Sequence, residues 1–119
     1  MSIDFYNSTG EPFAYTDDEE TIFTFDGTPI AFIDNDSIYS FSGNHLAFFE
    51  NGSIWDHAGD MVLFTANSTS GPIKPLKALK PLKGLKSLKP IKGLKTFRPL
   101  KSIKSLSWSQ SQPHEIFGI

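Results

Sequence analysis

The chain has 119 residues, no cysteine and a net charge of −2. That length suits one domain, and without thiols neither a disulfide framework nor a thiolate metal site can form. The charge is divided: Met1–Ile73 holds twelve of the thirteen acids and no Lys or Arg, whereas Lys74–Lys104 holds all eleven cations and no acid.

Met1 is followed by SIDFYN, with neither a basic nor an apolar leader region. No apolar run approaches the ~20 residues that span a bilayer. A soluble, cytoplasmic protein is the expectation. An acidic half joined to a basic half also makes the first the nearest anion for the second.

Taken in order, Asp4–Tyr15 (DFYNSTGEPFAY) begins a unit that returns as Thr21–Phe32 (TIFTFDGTPIAF), Ser37–Phe48 (SIYSFSGNHLAF) and Ser53–Phe64 (SIWDHAGDMVLF). Gly27, Gly43 and Gly59 are 16 residues apart, and Gly10 lies 17 before Gly27. Each copy sets two short runs of β-branched and aromatic residues about a glycine, the pattern of a β-hairpin. Asp26-Gly27 suits a two-residue type I′ turn, as does Asn51-Gly52 between copies three and four. With Asp26-Gly27 as the turn, Phe25 faces Thr28, Phe23 faces Ile30 and Ile22 faces Ala31. A turn at Asn35-Asp36 pairs Ile33 with Ile38 and Phe32 with Tyr39, and one at Asn51-Gly52 pairs Phe49 with Ile54 and Phe48 with Trp55. A three-residue loop, Asp18-Glu19-Glu20, keeps Tyr15 opposite Phe23.

Alternation then sorts the side chains into two faces. One collects Tyr6, Phe13, Tyr15, Phe23, Phe25, Ile30, Phe32, Tyr39, Phe41, Leu46, Phe48, Trp55, Val62 and Phe64. The other collects Phe5, Ala14, Ile22, Ala31, Ile33, Ile38, Ala47, Phe49, Ile54 and Leu63. Alanine at three of four equivalent positions signals crowding about an axis, so the Ala and Ile columns are placed toward it. Eight strands of about five residues, each antiparallel to the next, lose their exposed edges by closing. The fold class is therefore all-β: a closed, shallow, four-fold symmetric barrel of short antiparallel hairpins over residues 1–66.

The run FYNSTGEPFAY, TIFTFDGTPIAF, SIYSFSGNHLAFFENG and VLFTANSTSGP, followed by a Lys-Pro tail ending KSLSWS, resembles the bacterial four-fold beta-flower family. The likeness extends from Ile3 to about Ser109. It implies a square barrel whose hairpins splay like petals around a short apolar channel, and it implies no activity. That shape is similar to tubby C-terminal domains, some of which bind phosphoinositides, a likeness of fold that does not fix function.

After Gly71-Pro72 the grammar changes. Residues 67–109 form a basic tail in which Ile73–Leu106 repeats in triplets, an aliphatic residue or Phe97 followed by Lys or Arg98, with a nine-residue period (LKPLKGLKS, LKPIKGLKT, FRPLKSIKS) above it. Prolines at 75, 81, 90 and 99 exclude a continuous α-helix, and a threefold repeat matches polyproline II. At ~3.1 Å per residue the 34 residues reach roughly 105 Å. Three readings stand for this rod: a solvated linker, a strand docked on the barrel, or an arm for a separate partner. Residues 110–119, with Phe117 and Ile119, form a C-terminal segment that docks or frays.

No Ser/His/Asp spacing, phosphate loop or metal motif occurs, so no catalytic residue, metal or cofactor is expected and the protein reads as non-enzymatic. His45 and His57 occupy different positions of the repeat and are not expected to meet. The leading expectation is a binding module for a lipid or other hydrophobic small molecule. Its aromatic face would present Phe23, Phe32, Tyr39, Phe48, Trp55 and Phe64, and its channel would be lined by Ile22, Ala31, Ile38, Ala47, Ile54 and Leu63. The alternative is a structural protein whose tail, through Lys77, Lys80, Lys83, Lys86, Lys89, Lys92, Lys95 and Arg98, docks on its own or a neighbouring acidic barrel. A third is binding of an anionic membrane surface by the tail, ahead of nucleic acid, which the acidic domain would repel.

Overall fold

A computed structural model describes residues 2–119. Eight strands follow one another around a closed barrel, each antiparallel to the next. They are β1 (Ile3–Tyr6), β2 (Pro12–Thr16), β3 (Thr21–Thr24), β4 (Pro29–Asp34), β5 (Ser37–Tyr39), β6 (His45–Glu50), β7 (Ser53–Trp55) and β8 (Met61–Phe64). Each repeat is one hairpin, so there are four petals, β1–β2 to β7–β8. The ring closes where β1 meets β8 through a single ladder pair, Tyr6 with Phe64. The molecule is a disc of 36 × 36 × 24 Å.

Between petals the pairing follows the expected register. Phe32 meets Tyr39, Ile33 meets Ile38, Phe48 meets Trp55, Phe49 meets Ile54, and Tyr15 meets Phe23. Within petals it departs from it. Gly27 N–H donates to the Thr24 carbonyl and Thr24 N–H to the Thr28 carbonyl, each at 2.9 Å. Phe25-Asp26-Gly27 is therefore a three-residue loop with a left-handed glycine, not the two-residue type I′ turn that Asp-Gly suggests. Phe23 consequently faces Pro29 rather than Ile30, while Ile22 still faces Ala31, because a bulge between them absorbs one residue. All four petals carry this bulge.

A bulge places two residues opposite one and locally breaks alternation. Ile30 and Val62 are thereby turned into the interior, joining Ala31 and Leu63, and Phe13 and Leu46 pack against the same cluster. Their expected place on the aromatic face is corrected accordingly. The rest of the inward column holds: Phe5, Ala14, Ile22, Ala31, Ile38, Ala47, Ile54 and Leu63, one from each strand, form one core. Strands converge there, and the alanines keep them from colliding. Replacing Ala47, wholly buried, by leucine should cost about 1–3 kcal/mol through overpacking, a loss readable by urea denaturation. An unchanged midpoint would mean the axis has room.

The C-terminal segment supplies the one helix among the described residues, α1 (Pro113–Phe117). Pro113 sits at its first turn and Gly118 ends it in the left-handed conformation, as helix-terminus chemistry favours. The Glu115 carboxylate accepts the Gln112 N–H at 2.7 Å. The helix lowers Phe117 into the barrel core, with its ring 5.8 Å from that of Phe13. No helix among the described residues is long and apolar enough to cross a membrane.

Candidate functional site

The outer face of the barrel carries four aromatic grooves, one at each junction between petals. Tyr15 of β2 stacks on Phe23 of β3 at 5.7 Å, and Phe25 from the loop leans on Tyr15 at 5.3 Å. One petal on, Phe32 stacks on Tyr39 at 5.5 Å with Phe41 beside it at 5.8 Å. In the third groove Phe48 faces Trp55 in the ladder, and His57 takes the place held by Phe25 and Phe41. Cross-strand aromatic pairs of this kind stabilise a sheet beyond their burial.

At the closing seam the repeat places Ser8 where the other petals have Phe25, Phe41 and His57. Trp108 fills that gap from the far end of the chain, 5.9 Å from Phe64. Its flanking Ser107 and Ser109 exchange backbone hydrogen bonds with Met61 at 3.1 and 2.8 Å. The fourth groove is completed by the tail.

That tail has no helix, strand or turn from Ile73 to Ser105 and runs once around the disc. It leaves the barrel at Gly71, against Trp55 and Met61, and ends beside Met61 again. In between it meets each petal tip through the same bond. The N–H groups of Ala78, Ser87, Thr96 and Ser105 donate to the carbonyls of Gly10, Gly27, Gly43 and Gly59 at 2.8–2.9 Å. The nine-residue period is therefore the step from one petal to the next. A circle 36 Å across has a perimeter of about 113 Å, which 34 residues cover at about 3.3 Å each, the rise of a nearly extended chain.

With the small third-position residues against the petal tips, the cations reach inward over the aromatic grooves. Lys83 lies 4.2 Å from the Tyr15 ring and Lys86 4.9 Å from Phe23. Lys92 and Lys95 cover Phe32 and Tyr39 at 4.7 and 5.8 Å. Arg98 and Lys101 lie over Phe48 at 5.4 and 5.6 Å, and Lys104 over Trp55 at 5.6 Å. Beyond the rings, most of the tail's cations meet carboxylates. Lys80 pairs with Asp4, Lys86 with Asp17, Lys89 with Asp18 and Lys95 with Asp34. Arg98 and Lys101 share Asp36, and Lys101 and Lys104 share Glu50. Lys83 donates to the Ser2 hydroxyl, and Lys77 pairs with no carboxylate or ring among the described residues.

Hydrogen bonds from Lys101 and Lys104 hold Glu50 below its ordinary pKa, and Lys101 does the same for Asp36. Desolvation alone would raise Asp18, but the Thr21 and Glu20 N–H groups and Lys89 outweigh it and bring it to about 2. Isolated surface pairs contribute little; here they are linked, from Arg98 through Asp36, Lys101 and Glu50 to Lys104.

The six expected ligand-facing residues, Phe23, Phe32, Tyr39, Phe48, Trp55 and Phe64, are 1–5 % exposed beneath this layer. The six expected channel residues, Ile22, Ala31, Ile38, Ala47, Ile54 and Leu63, are wholly buried in a side-chain-filled interior. Open space lies outside: a cleft of about 280 Å3 beside Phe32, Ile33 and the tail at Lys92–Lys95. The tail turns its apolar edge away from the barrel. All twelve of its large apolar side chains, Ile73 to Leu106, are 81–100 % exposed.

Sequence reasoning kept His45 and His57 apart, and the structure brings them together. His45 Nδ1 is 2.9 Å from His57 Nε2, and His45 Nε2 is 3.1 Å from the Ser37 hydroxyl. Groove stacking is the reason. His57 replaces an aromatic ring at the petal tip, and His45 sits at the bulged position held by Pro29 and Met61 in neighbouring petals. Burial, reinforced by His57 and Arg98 and opposed by Asp36, pulls His45 down to about 4. A group with a depressed folded pKa gives stability that is whole above its unfolded value of about 6.5 and lost as pH falls toward the folded one. Because His57 is exposed, the loss between pH 6.5 and 4 should be about 1–2 kcal/mol. Thermal unfolding across that range should show it, and His45→Met should flatten it. Equal slopes in both proteins would remove the role. Among the described residues no three His, Cys, Asp or Glu side chains converge on a metal site.

A family model described as 4-fold beta flower protein matches residues 3–117. No curated protein matches the chain, and no solved structure does.

Proposed function

The chain belongs to the 4-fold beta flower protein family, and from that premise we propose a non-enzymatic binding module whose barrel mounts its own tail as a girdle. The girdle presents an apolar rim to a hydrophobic partner. The observation that carries this reading is the division of labour along each triplet. Small residues touch the petal tips, cations are engaged by rings and carboxylates, and the third side chain meets only solvent. A spacer has no use for twelve such side chains, and a tail held by its leucines would bury them. The docked tail and the hydrophobic-partner readings of the sequence thus combine, with the partner at the rim instead of the bore.

Substituting Leu79, Leu88 and Phe97 together by glutamine tests this. Those side chains touch nothing in the free protein, so the melting temperature should stay within the narrow range of surface changes. Binding of an apolar fluorescent dye by the folded chain should fall. A large loss of thermal stability would show these residues packed inside, and unchanged dye binding would show that the rim is not the apolar surface in play.

A further inference from the structure

We propose that the rim seats the protein at the hydrocarbon boundary of a single lipid leaflet, a reading that rests on the girdle being in place. Twelve exposed apolar side chains amount to on the order of 1,000 Å2. The largest patch on an ordinary monomer is ~300–600 Å2. This surface is also a closed convex ring. A second copy meeting it edge-on reaches about a quarter, roughly 250 Å2, well short of the ~800 Å2 per partner of a stable interface. Fluid acyl chains conform to the whole circuit.

Height and charge narrow the choice further. The rim projects from the girdle by one apolar side chain. That fits the ~5–10 Å depth at which interfacial elements sit and falls far short of a ~30 Å hydrocarbon core. Most of the girdle's cations are turned inward onto rings and carboxylates, and the chain is net negative at −2. The rim therefore offers lipid an apolar edge without a basic patch. The carboxylates of the inter-petal turns, Asp34, Asp36 and Glu50 among them, are taken up by the girdle's own cations. Attraction to anionic headgroups is not part of this mode, which separates it from polybasic membrane binding.

Co-flotation of the full chain with vesicles tests the proposal, using phosphatidylcholine alone or mixed with phosphatidylserine, at roughly 0.1 and 0.5 M salt. Flotation with phosphatidylcholine alone is expected, indifferent to salt and to phosphatidylserine. The triple glutamine variant should lose it by at least about tenfold. An independent marker of the girdle is a disulfide between Asp60→Cys and Ser105→Cys, whose parent side chains are hydrogen bonded, in a chain with no other cysteine.

Closure of that disulfide without flotation would overturn the lipid proposal and leave the mounted girdle standing. Failure of the disulfide to close would overturn the girdle itself. Flotation only with phosphatidylserine and abolished by salt would assign binding to released cations, against the proposal. A soluble oligomer that the triple variant dissolves, with no flotation, would make a second copy the partner and also refute it.

Discussion

Cutting the chain after Pro72 should remove most of its stability, leaving a barrel that melts far lower or does not fold. The truncation uncovers Tyr15, Phe23, Phe32, Tyr39, Phe48 and Trp55, each at most 5 % exposed in the whole chain. It also withdraws Trp108 from the seam and Phe117 from the core, the latter alone contributing about 1.5–3 kcal/mol. A domain is held by only ~5–15 kcal/mol in total. Part of the loss is electrostatic, so salt should lower the melting temperature of the full chain by screening the inward-facing ion pairs. The truncated barrel should not respond in that way. An unchanged, cooperative melt of residues 1–72 would show the girdle to be an ornament on a self-sufficient barrel.

Gly27→Ala should cost about 2–4 kcal/mol, far more than the loss of a surface methyl contact. Gly27 has φ +95°, where a side chain costs ~1–2 kcal/mol. A Cβ there would also run into the carbonyl of Leu85. Making room displaces the girdle and breaks the hydrogen bond from Ser87 N–H to the Gly27 carbonyl, a further ~0.5–1.5 kcal/mol. Gly118→Ala is the control, since φ is +69° there and nothing lies within 4 Å. The difference between the two variants, read by chemical denaturation, isolates the girdle contact. Equal costs would mean the tail yields freely at the petal tip.

Much of this architecture was legible because the repeat has a rigid grammar. A 16-residue step between glycines leaves little choice of topology. Asn35-Asp36 and Asn51-Gly52 gave the register between petals, which the ladder reproduces. The bulges were hidden by a cancellation. A three-residue loop shifts the pairing by one, the bulge shifts it back, and Ile22 still faces Ala31. Only the residues between loop and bulge, such as Ile30 and Val62, reveal the difference, and hydrophobic residues are admissible on either face. Phe25, Phe41 and His57 recurring at one position, with Ser8 as the exception, was the available sign that rings stack at the tips. It was also the sign that something distant, here Trp108, completes the set. The meaning of the nine-residue period needed the petal spacing to be known first. The direction of the leucines could not come from the triplet pattern, which is the same whichever edge faces in.

One pair of residues, Tyr6 and Phe64, closes the ring, and the segment that braces it follows the barrel in the chain. During synthesis at ~5–20 residues per second, the 47 residues after Pro72 require roughly 2–9 s, during which four finished staves stand without their hoop. A nascent chain in that interval shows its rings to solvent with nothing laid over them, so chaperone capture should peak then and fall once the girdle closes.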